Sequence, residues 1–590
     1  MRLIALILIA GTALFSGCKG GQKETVKPAA AQAAVMHPTA EWILACRAGE
    51  GGFGCYPGDS AFTSRTGMAL EALASLGELG TLSGKDQLAA WIKARQLPDG
   101  GFFEADDYYY GKKLPWGSIS ALEPTYWAVR ALALLGDRTE RPEAAARFIG
   151  ERRSSNGGYA AYEYSWGGAK EGLYTTFWAV AALRELGLPV PDSAKTVEWV
   201  RSMQDTRALR GGFALSNDYF NYSSVSGTYY AVRTLDLLGA GPRRHGEVRK
   251  FLFSSYGQEP DGGFELGHGD NWNNFDHYSR MQDTYGAVFA LEILGTSLSD
   301  HDTSRAARPA ADCAAWIVSV QNPDGGFGRL GVTDQTPLRS PSEMMATWQA
   351  VRTLELLGQP VPRPLAVIKP VPEVKIHKPL HSHPVVDCSD PCEVWAYRRI
   401  ALPIYNHYLE KTGSKIKALG MVSRWVRAAV GPENGAWITG GRGILMHEWG
   451  QCGAMSWLLQ GLITSIDHAS RGSFVIGDVN CEILITEQGW DAPHWCLFIP
   501  FTNEYPDPGI PAPDGERNGW SVLDMVVNHR LRHLNLDYPS RTVLGDHLFA
   551  QVRIESIDAV KGEWGTEYNM DSLTTYSSPV VESLYPEGSW

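Results

Sequence analysis

The chain has 590 residues and a formal net charge of −12. An acidic balance without a long Lys/Arg run argues against a nucleic-acid binder, which would carry a basic face. Apolar residues at 44% and charged residues at 20% are those of a globular protein with material for more than one core. Many of the 20 Trp and 24 Tyr fall in Gly-rich segments. Such aromatics are candidates for ligand contact, with packing against helix ends as the plainer alternative.

The first element is an address. Arg2 precedes an apolar run, Leu3 to Phe15, and then Ser16-Gly17-Cys18. The run is short for a membrane span and reads as an export signal over 1–17. Leu-Phe-Ser-Gly-Cys resembles a bacterial lipobox, which implies cleavage before Cys18 and lipidation of that residue. An ordinary signal peptide that ends near a cysteine is the alternative. Residues 18–40 lack apolar periodicity and read as a tether averaging ~25 Å in reach. By the same resemblance, Lys19 favours the outer membrane, facing the periplasm or the cell surface. In such a compartment Cys46/Cys55 and Cys388/Cys392 become disulfide candidates by proximity.

From about 41 to 358 the chain repeats itself. Gly-Gly-Phe or Gly-Gly-Tyr recurs at residues 51–53, 100–102, 157–159, 211–213, 262–264 and 325–327. Apolar helices with an aromatic start precede several of these, as in WIKARQLPDGGF and WIVSVQNPDGGF. Second helices ending in Leu-Gly follow, as in TYWAVRALALLG, TTFWAVAALRELG and TYYAVRTLDLLG. Their Ala, Val and Leu recur at three- and four-residue spacing. The opening Thr is expected as N-cap and the closing Gly as left-handed C-cap. One such hairpin cannot bury its own stripe, so neighbours must stack, and six can close into a ring.

These repeats resemble the α/α-toroid of prenyltransferase β subunits and squalene cyclases, which implies an all-α (α/α)6 ring. The activity does not come with the fold. The acidic cyclase motif fails at Glu104-Ala105-Asp106-Asp107. The region that would supply zinc ligands has Asp276, His277 and Asp283 but no cysteine, and Cys313 stands at a helical, apolar position. The loops around Asp106, Asp107, Tyr109 and Trp116, around Asp218 and Tyr219, and around Trp272, Asp276 and His277 mix carboxylates with aromatics. They are candidate contacts for a sugar or a cationic peptide at one mouth of the ring. Solvated caps over helix ends are the competing reading.

Residues 359–392 hold Pro every few positions and read as an extended linker. His377, His381, His383, Cys388 and Cys392 fit no standard zinc spacing, so no metal or other cofactor is expected there. From 393 the rhythm is mixed. Segments 395–408 and 415–430, and the run after Cys452, read as helices; SFVIG, CEILIT, HWCLFIPF, GWSVLDMVV and FAQVRIES read as strands. Helices followed by a sheet suggest an α+β domain over 393–590.

HEWGQCGAMSWLLQG places Cys452 at a helix start, where the backbone dipole and free N–H groups favour a thiolate. His494 begins a strand, and Asp524 lies in the next, so an imidazole and its orienting acceptor follow in order. Gly450-Gln451-Cys452, His494-Trp495 and Trp520-Ser521-Val522-Leu523-Asp524 resemble the transglutaminase-like, papain-like cysteine fold over about 393–560. That resemblance implies a catalytic Cys452, His494 and Asp524, with peptidase or amidase activity favoured over cross-linking. The substrate would then be a peptide or protein of the cell envelope. A long His-to-Asp insertion and Cys496, at the same strand parity as His494, depart from the pattern. His447, His529, His533 and His547 are rival bases, and a buried inert Cys452 in a silent binding scaffold is the rival function. A third reading is a ring enzyme acting on an isoprenoid or glycan through Asp106, Asp107 or Asp276.

Overall fold

Six helical hairpins closing on themselves account for the first half of the chain. In each, an outer helix leads through a Gly-Gly turn to an inner one. The outer helices are α1 (Pro38–Ala45), α3 (Lys85–Lys93), α5 (Pro142–Glu151), α7 (Ser193–Ser202), α9 (His245–Leu252) and α11 (Ala310–Ser319). The inner helices are α2 (Thr63–Ser75), α4 (Leu122–Leu134), α6 (Leu173–Glu185), α8 (Val225–Leu237), α10 (Met281–Ile293) and α12 (Met344–Leu356). Each inner helix packs on the next, and α12 returns to α2. The computed structural model describes residues 36–49, 51–105, 120–160, 171–204, 211–215, 223–254, 258–265, 278–298, 310–331, 340–364, 391–430, 440–447, 452–468 and 478–486, and short strands at 108–109, 112–113, 470–475, 494–498, 505–506, 534–535 and 552–553.

The glycine pairs explain why the ring closes. The first glycine of a pair takes positive φ and, in every pair but Gly51-Gly52, lies against the backbone of the next outer helix; Gly51 lies against the Trp91 side chain. A Cβ on Gly100 would fall 2.1 Å from the Ala144 carbonyl of α5, and one on Gly325 would fall 2.6 Å from the Pro38 carbonyl of α1. The second glycine lies under an aromatic ring of that same helix, as Gly158 lies under Trp199 and Gly326 under Trp42. The sixth turn therefore meets the first helix as the third meets the fourth outer helix. Thr39 Oγ1 of α1 donates to the Gly325 carbonyl at 2.8 Å and seals the seam.

The motif threonines are not N-caps. Thr125 and Thr228 lie inside α4 and α8, and their hydroxyls donate to the carbonyls four residues back, Ala121 and Ser224, at 2.6 and 2.7 Å. The same oxygens accept the N–H of the turn aromatic: Phe102 to Thr125 at 2.9 Å and Phe213 to Thr228 at 3.0 Å. Each threonine thus satisfies a buried turn amide that has no ladder partner. The expected C-caps hold: Gly136 has φ 75°, and Asp137 N–H reaches back to the Leu132 carbonyl at 2.8 Å, as in a Schellman ending.

Two-residue ladders cross the turns: β1 (Phe102–Phe103) with β4 (Ser120–Ala121), β2 (Tyr108–Tyr109) with β3 (Lys112–Lys113), and β5 (Phe213–Ala214) with β6 (Ser223–Ser224). After the ring come α13 (Pro391–Thr412), α14 (Lys415–Ala429), α15 (Gly440–His447) and α16 (Cys452–Ser465). Next are β7 (Ser470–Val475), β8 (Asp478–Ile485) and β9 (His494–Phe498), then the short pair β10 (Tyr505–Pro506) and β11 (Leu534–Asn535), and β12 (Val552–Arg553). The antiparallel order is β12-β7-β8-β9. Cys481, Ile483 and Ile485 of β8 and Cys496 and Phe498 of β9 are buried at alternate positions, the period of a strand with one covered face. Helix α16 packs on β7 and β8. Among the described residues no helix is long and apolar enough to cross a membrane.

Candidate functional site

The inner helices line a cavity of about 70 Å³. Its girdle comes from one sequence position. The residue after each motif threonine is Tyr126, Phe177, Tyr229, Tyr285 or Trp348, and in the first repeat it is Gly67. There Trp127 fills the gap, its ring 2.7 Å from where a Gly67 Cβ would stand. Ring to ring, the circuit is closed. Trp127 meets Trp348 edge-on at 5.1 Å, Trp348 meets Tyr285 at 4.9 Å, and Tyr285 meets Tyr229 at 5.3 Å. Tyr229 meets Phe177 at 6.0 Å, Phe177 meets Tyr126 at 5.9 Å, and Tyr126 meets Trp127 at 4.9 Å. Such contacts contribute ~0.5–1.5 kcal/mol each beyond burial and hold the rings with little freedom. The wall is therefore a rigid π surface, suited to an apolar chain or a cation.

The two ends of the cavity differ. Toward the start of the inner helices lie Glu123, Ser226, Gln282 and Met345. Glu123 is buried, and desolvation, reinforced by the nearby Glu104 charge, pushes its carboxyl up to about 8. Burial also raises the Glu104 carboxyl, against the pull of Arg65 and the bonds from Ser64 N–H and Oγ. Glu123 is thus a neutral acid at neutral pH, able to donate a proton.

Two turns further along stand Glu71, Arg233 and Arg352. Glu71 accepts from Arg130 and from the Trp348 indole, both at 3.0 Å. Arg352 donates to Ser75 Oγ at 3.0 Å. Arg233 instead lies over the rings of Phe289 and Phe177, at 4.4 and 5.8 Å, and its Nε has no hydrogen-bond partner among the described residues.

The Glu123 end is covered by α15. Arg65 Nη2 donates to the Met446 carbonyl, and Arg329 Nη2 to the Leu445 carbonyl at 2.7 Å. In return Arg442 of α15 pairs with Asp59 and donates to Tyr56 Oη at 3.2 Å. A second, water-sized cavity of about 10 Å³ lies there, bordered by Arg65, Arg442, Leu445 and Met446, and Met345 lines both cavities.

Cys452 is the first residue of α16, and His494 the first of β9, its Cα opposite Ile485 of β8. Asp524 and Cys18 lie outside the described residues, as do Asp106, Asp107, Trp116, Asp218, Tyr219, Trp272, Asp276, His277 and Cys388. Of Tyr109 and Cys392 the backbone alone is described, in β2 and α13. The expected Cys46–Cys55 bridge is corrected: both are free, buried thiols. Cys46 ends α1 with its Sγ turned back to the Trp42 carbonyl at 3.3 Å, and Cys55 is fixed through its N–H on the Asp59 carboxylate at 2.9 Å. Asp283 serves the fold, buried between Arg280 and Ser226. Among the described residues no His, Cys, Asp or Glu group is arranged to hold a metal.

The loops drew the sequence reading, yet the described cavity is lined from the inner helices. Its signal was present: an aromatic after five of the six motif threonines, at a position too regular for core filling alone.

A family model for the prenyltransferase alpha-alpha toroid domain matches residues 15–107, 118–219 and 208–361, more than half of the chain. Among solved structures, the chain is similar to protein geranylgeranyltransferase-I of Candida albicans complexed with GGPP. Identity is 15%, with 50% of this chain and 83% of that one covered, at a TM-score of 0.36. It is also similar to a type II terpene cyclase from Scytonema, at 16% identity, 54% and 95% coverage and a TM-score of 0.35. A protein from Actinoplanes matches at 15% identity, 55% and 98% coverage and a TM-score of 0.35. No curated protein matches the chain. With the six-hairpin ring and the family match together, the chain belongs to the prenyltransferase α/α-toroid family.

Proposed function

We propose that the protein is a lipid-anchored envelope enzyme in which the toroid binds substrate and a transglutaminase-like segment performs acyl transfer at an amide. One observation carries the reading: Cys452 opens α16, and α16 packs on β8, the strand next to the one that His494 opens. A helix N-terminus stabilises a thiolate, and a neighbouring strand is where an imidazole is needed. Cys452 attacks the carbonyl, His494 protonates the leaving amine, and Asp524 holds the imidazole. Water then completes hydrolysis, or an amine completes cross-linking. Iodoacetamide at neutral pH tests this, with mass mapping of the modified site. Cys46, Cys55, Cys313, Cys481 and Cys496 are buried and should react slowly. Rapid labelling at Cys452, slowed by His494→Asn, is expected; labelling no faster than that of a simple exposed thiol removes the reading. Anchoring through Cys18 is checked by membrane fractionation of Cys18→Ser, which should release the protein.

A second reading rests on Glu123. A neutral carboxyl at the end of an aromatic cavity suits proton donation to an isoprenoid, whose carbocations the rings would stabilise. Glu123→Gln should then abolish turnover while Cys452→Ala leaves it intact; the opposite pattern supports the cysteine.

A further inference from the structure

We infer that the ring cavity is a binding site for a small amino acid, held by its carboxylate at Arg233 and by its ammonium at Gln349. The inference is independent of the cysteine reading and of the Glu123 reading.

Two groups of opposite sense line one cavity without using their hydrogen-bonding capacity. Gln349 of α12 is 3% exposed, and its Oε1 has no partner among the described residues. Arg233 of α8 has a buried Nε in the same condition, and only ring faces flank its guanidinium. A buried acceptor and a buried donor are each unfavourable when left unmade. One ligand that donates to Gln349 and accepts from Arg233 satisfies both.

Charge decides the ligand class. Arg233 calls for an anion, and a carboxylate makes the short, charge-assisted bond that a guanidinium forms best. At Gln349 the surroundings have the other sign. The Glu71 carboxylate is bonded to the indole of Trp348, the residue before Gln349. The rings of Trp348 and Tyr285 add their π faces to the same wall. An acceptor amide, a carboxylate and ring faces together favour a cation over a second anion. The ligand that meets both ends is a zwitterion.

Size and access narrow it further. A cavity of about 70 Å³ is roughly half of the ~150 Å³ that takes a benzene ring, which limits the ligand to about two to four carbons. Helix α15 covers the Glu123 end through its bonds to Arg65 and Arg329. At the other end the side chains of Arg130 and Arg352 are 30% and 23% exposed, and the ligand enters between them.

The test is calorimetric titration of the full-length protein with L-alanine, β-alanine, lactate, propionate and propylamine, all of one chain length. The tighter of the two amino acids should bind about tenfold better than any of the others, as one added charge-assisted hydrogen bond provides. Gln349→Met keeps the shape of the side chain and removes the acceptor. It should bring that amino acid down to the level of propionate and leave propionate unchanged. Arg233→Met should weaken both acids about tenfold and leave propylamine as it was. The ranking in the wild type is decisive by itself should a variant fail to fold. Amino acids that bind the wild type no better than propionate overturn the site, as does a ranking indifferent to Gln349→Met. Lactate on a par with the amino acid overturns the ammonium contact. An absence of saturable binding for every probe leaves both groups to water and overturns the inference as a whole.

Discussion

Arg442 of α15 and Asp59 of the first glycine turn form an ion pair with side chains only 6% and 3% exposed. They are 383 residues apart in sequence. Neither charge has water to fall back on, so removing one strands the other. Asp59→Asn should lower unfolding free energy by ~3–5 kcal/mol. Adding Arg442→Met should restore much of that loss, because the double variant buries no lone charge. Urea unfolding of the four proteins measures the cycle, and strictly additive losses would show that the pair is not coupled.

The seam of the ring makes a contrast between glycines that share positive φ. Gly325 (φ 93°) faces the Pro38 backbone, which cannot yield, whereas Gly358 (φ 63°) has nothing within 4 Å of its missing Cβ. Gly358→Ala should cost about 1 kcal/mol of backbone strain. Gly325→Ala adds the clash and opens the contact with α1, so its loss should be at least twice as large. Equal unfolding midpoints for the two variants would contradict the closure described here.

The repeat was legible because it is written twice in each unit, once as a glycine pair and once as an apolar stripe. Six copies leave little freedom in how they stack. The girdle was harder to read, since Tyr126 or Trp348 taken alone is a core aromatic; only the ring brings five equivalent positions to one level. Thr125 misled for a related reason: threonine before an apolar run resembles a cap, and its true partner, the Phe102 amide, is supplied by the turn. The latch between Asp59 and Arg442 has no local sequence signal at all. It depends on where α15 docks, and nothing in the Gly440–His447 sequence names that surface.

Glu123 links stability to pH with a defined sign. Its folded carboxyl is pushed up to about 8, above an unfolded value of about 4.3. Between those limits the native state holds the extra proton, so stability falls as pH rises through the window, by at most about 1.4 kcal/mol per pH unit. Burial raises Glu104 as well, and the two carboxyls titrate as a pair. Glu123→Gln keeps the neutral shape and should flatten the decline. Unfolding midpoints between pH 5 and pH 8.5 (roughly the span of the window) measure it, and a wild-type curve that climbs across this range would refute the assignment.

Arg233 presents the opposite case, a charge held between aromatic rings with no ionic partner among the described residues. Its guanidinium has Phe289 and Phe177 as π neighbours, and among the described residues its Nε has no hydrogen bond. Cation–π contacts return ~0.5–2 kcal/mol, less than the several kcal/mol that desolvating an ion costs. Arg233→Met should therefore leave stability unchanged or raise it by about 1 kcal/mol. Its use would lie in the ligand: a chain that ends in a carboxylate should bind the wild type better than a plain alkyl chain, and Arg233→Met should reverse that order. Tryptophan fluorescence can follow both titrations, because Trp127 and Trp348 line the cavity. A variant that is clearly less stable, with the two chains ranked as before, would mean that Arg233 serves the ring and not what the ring holds.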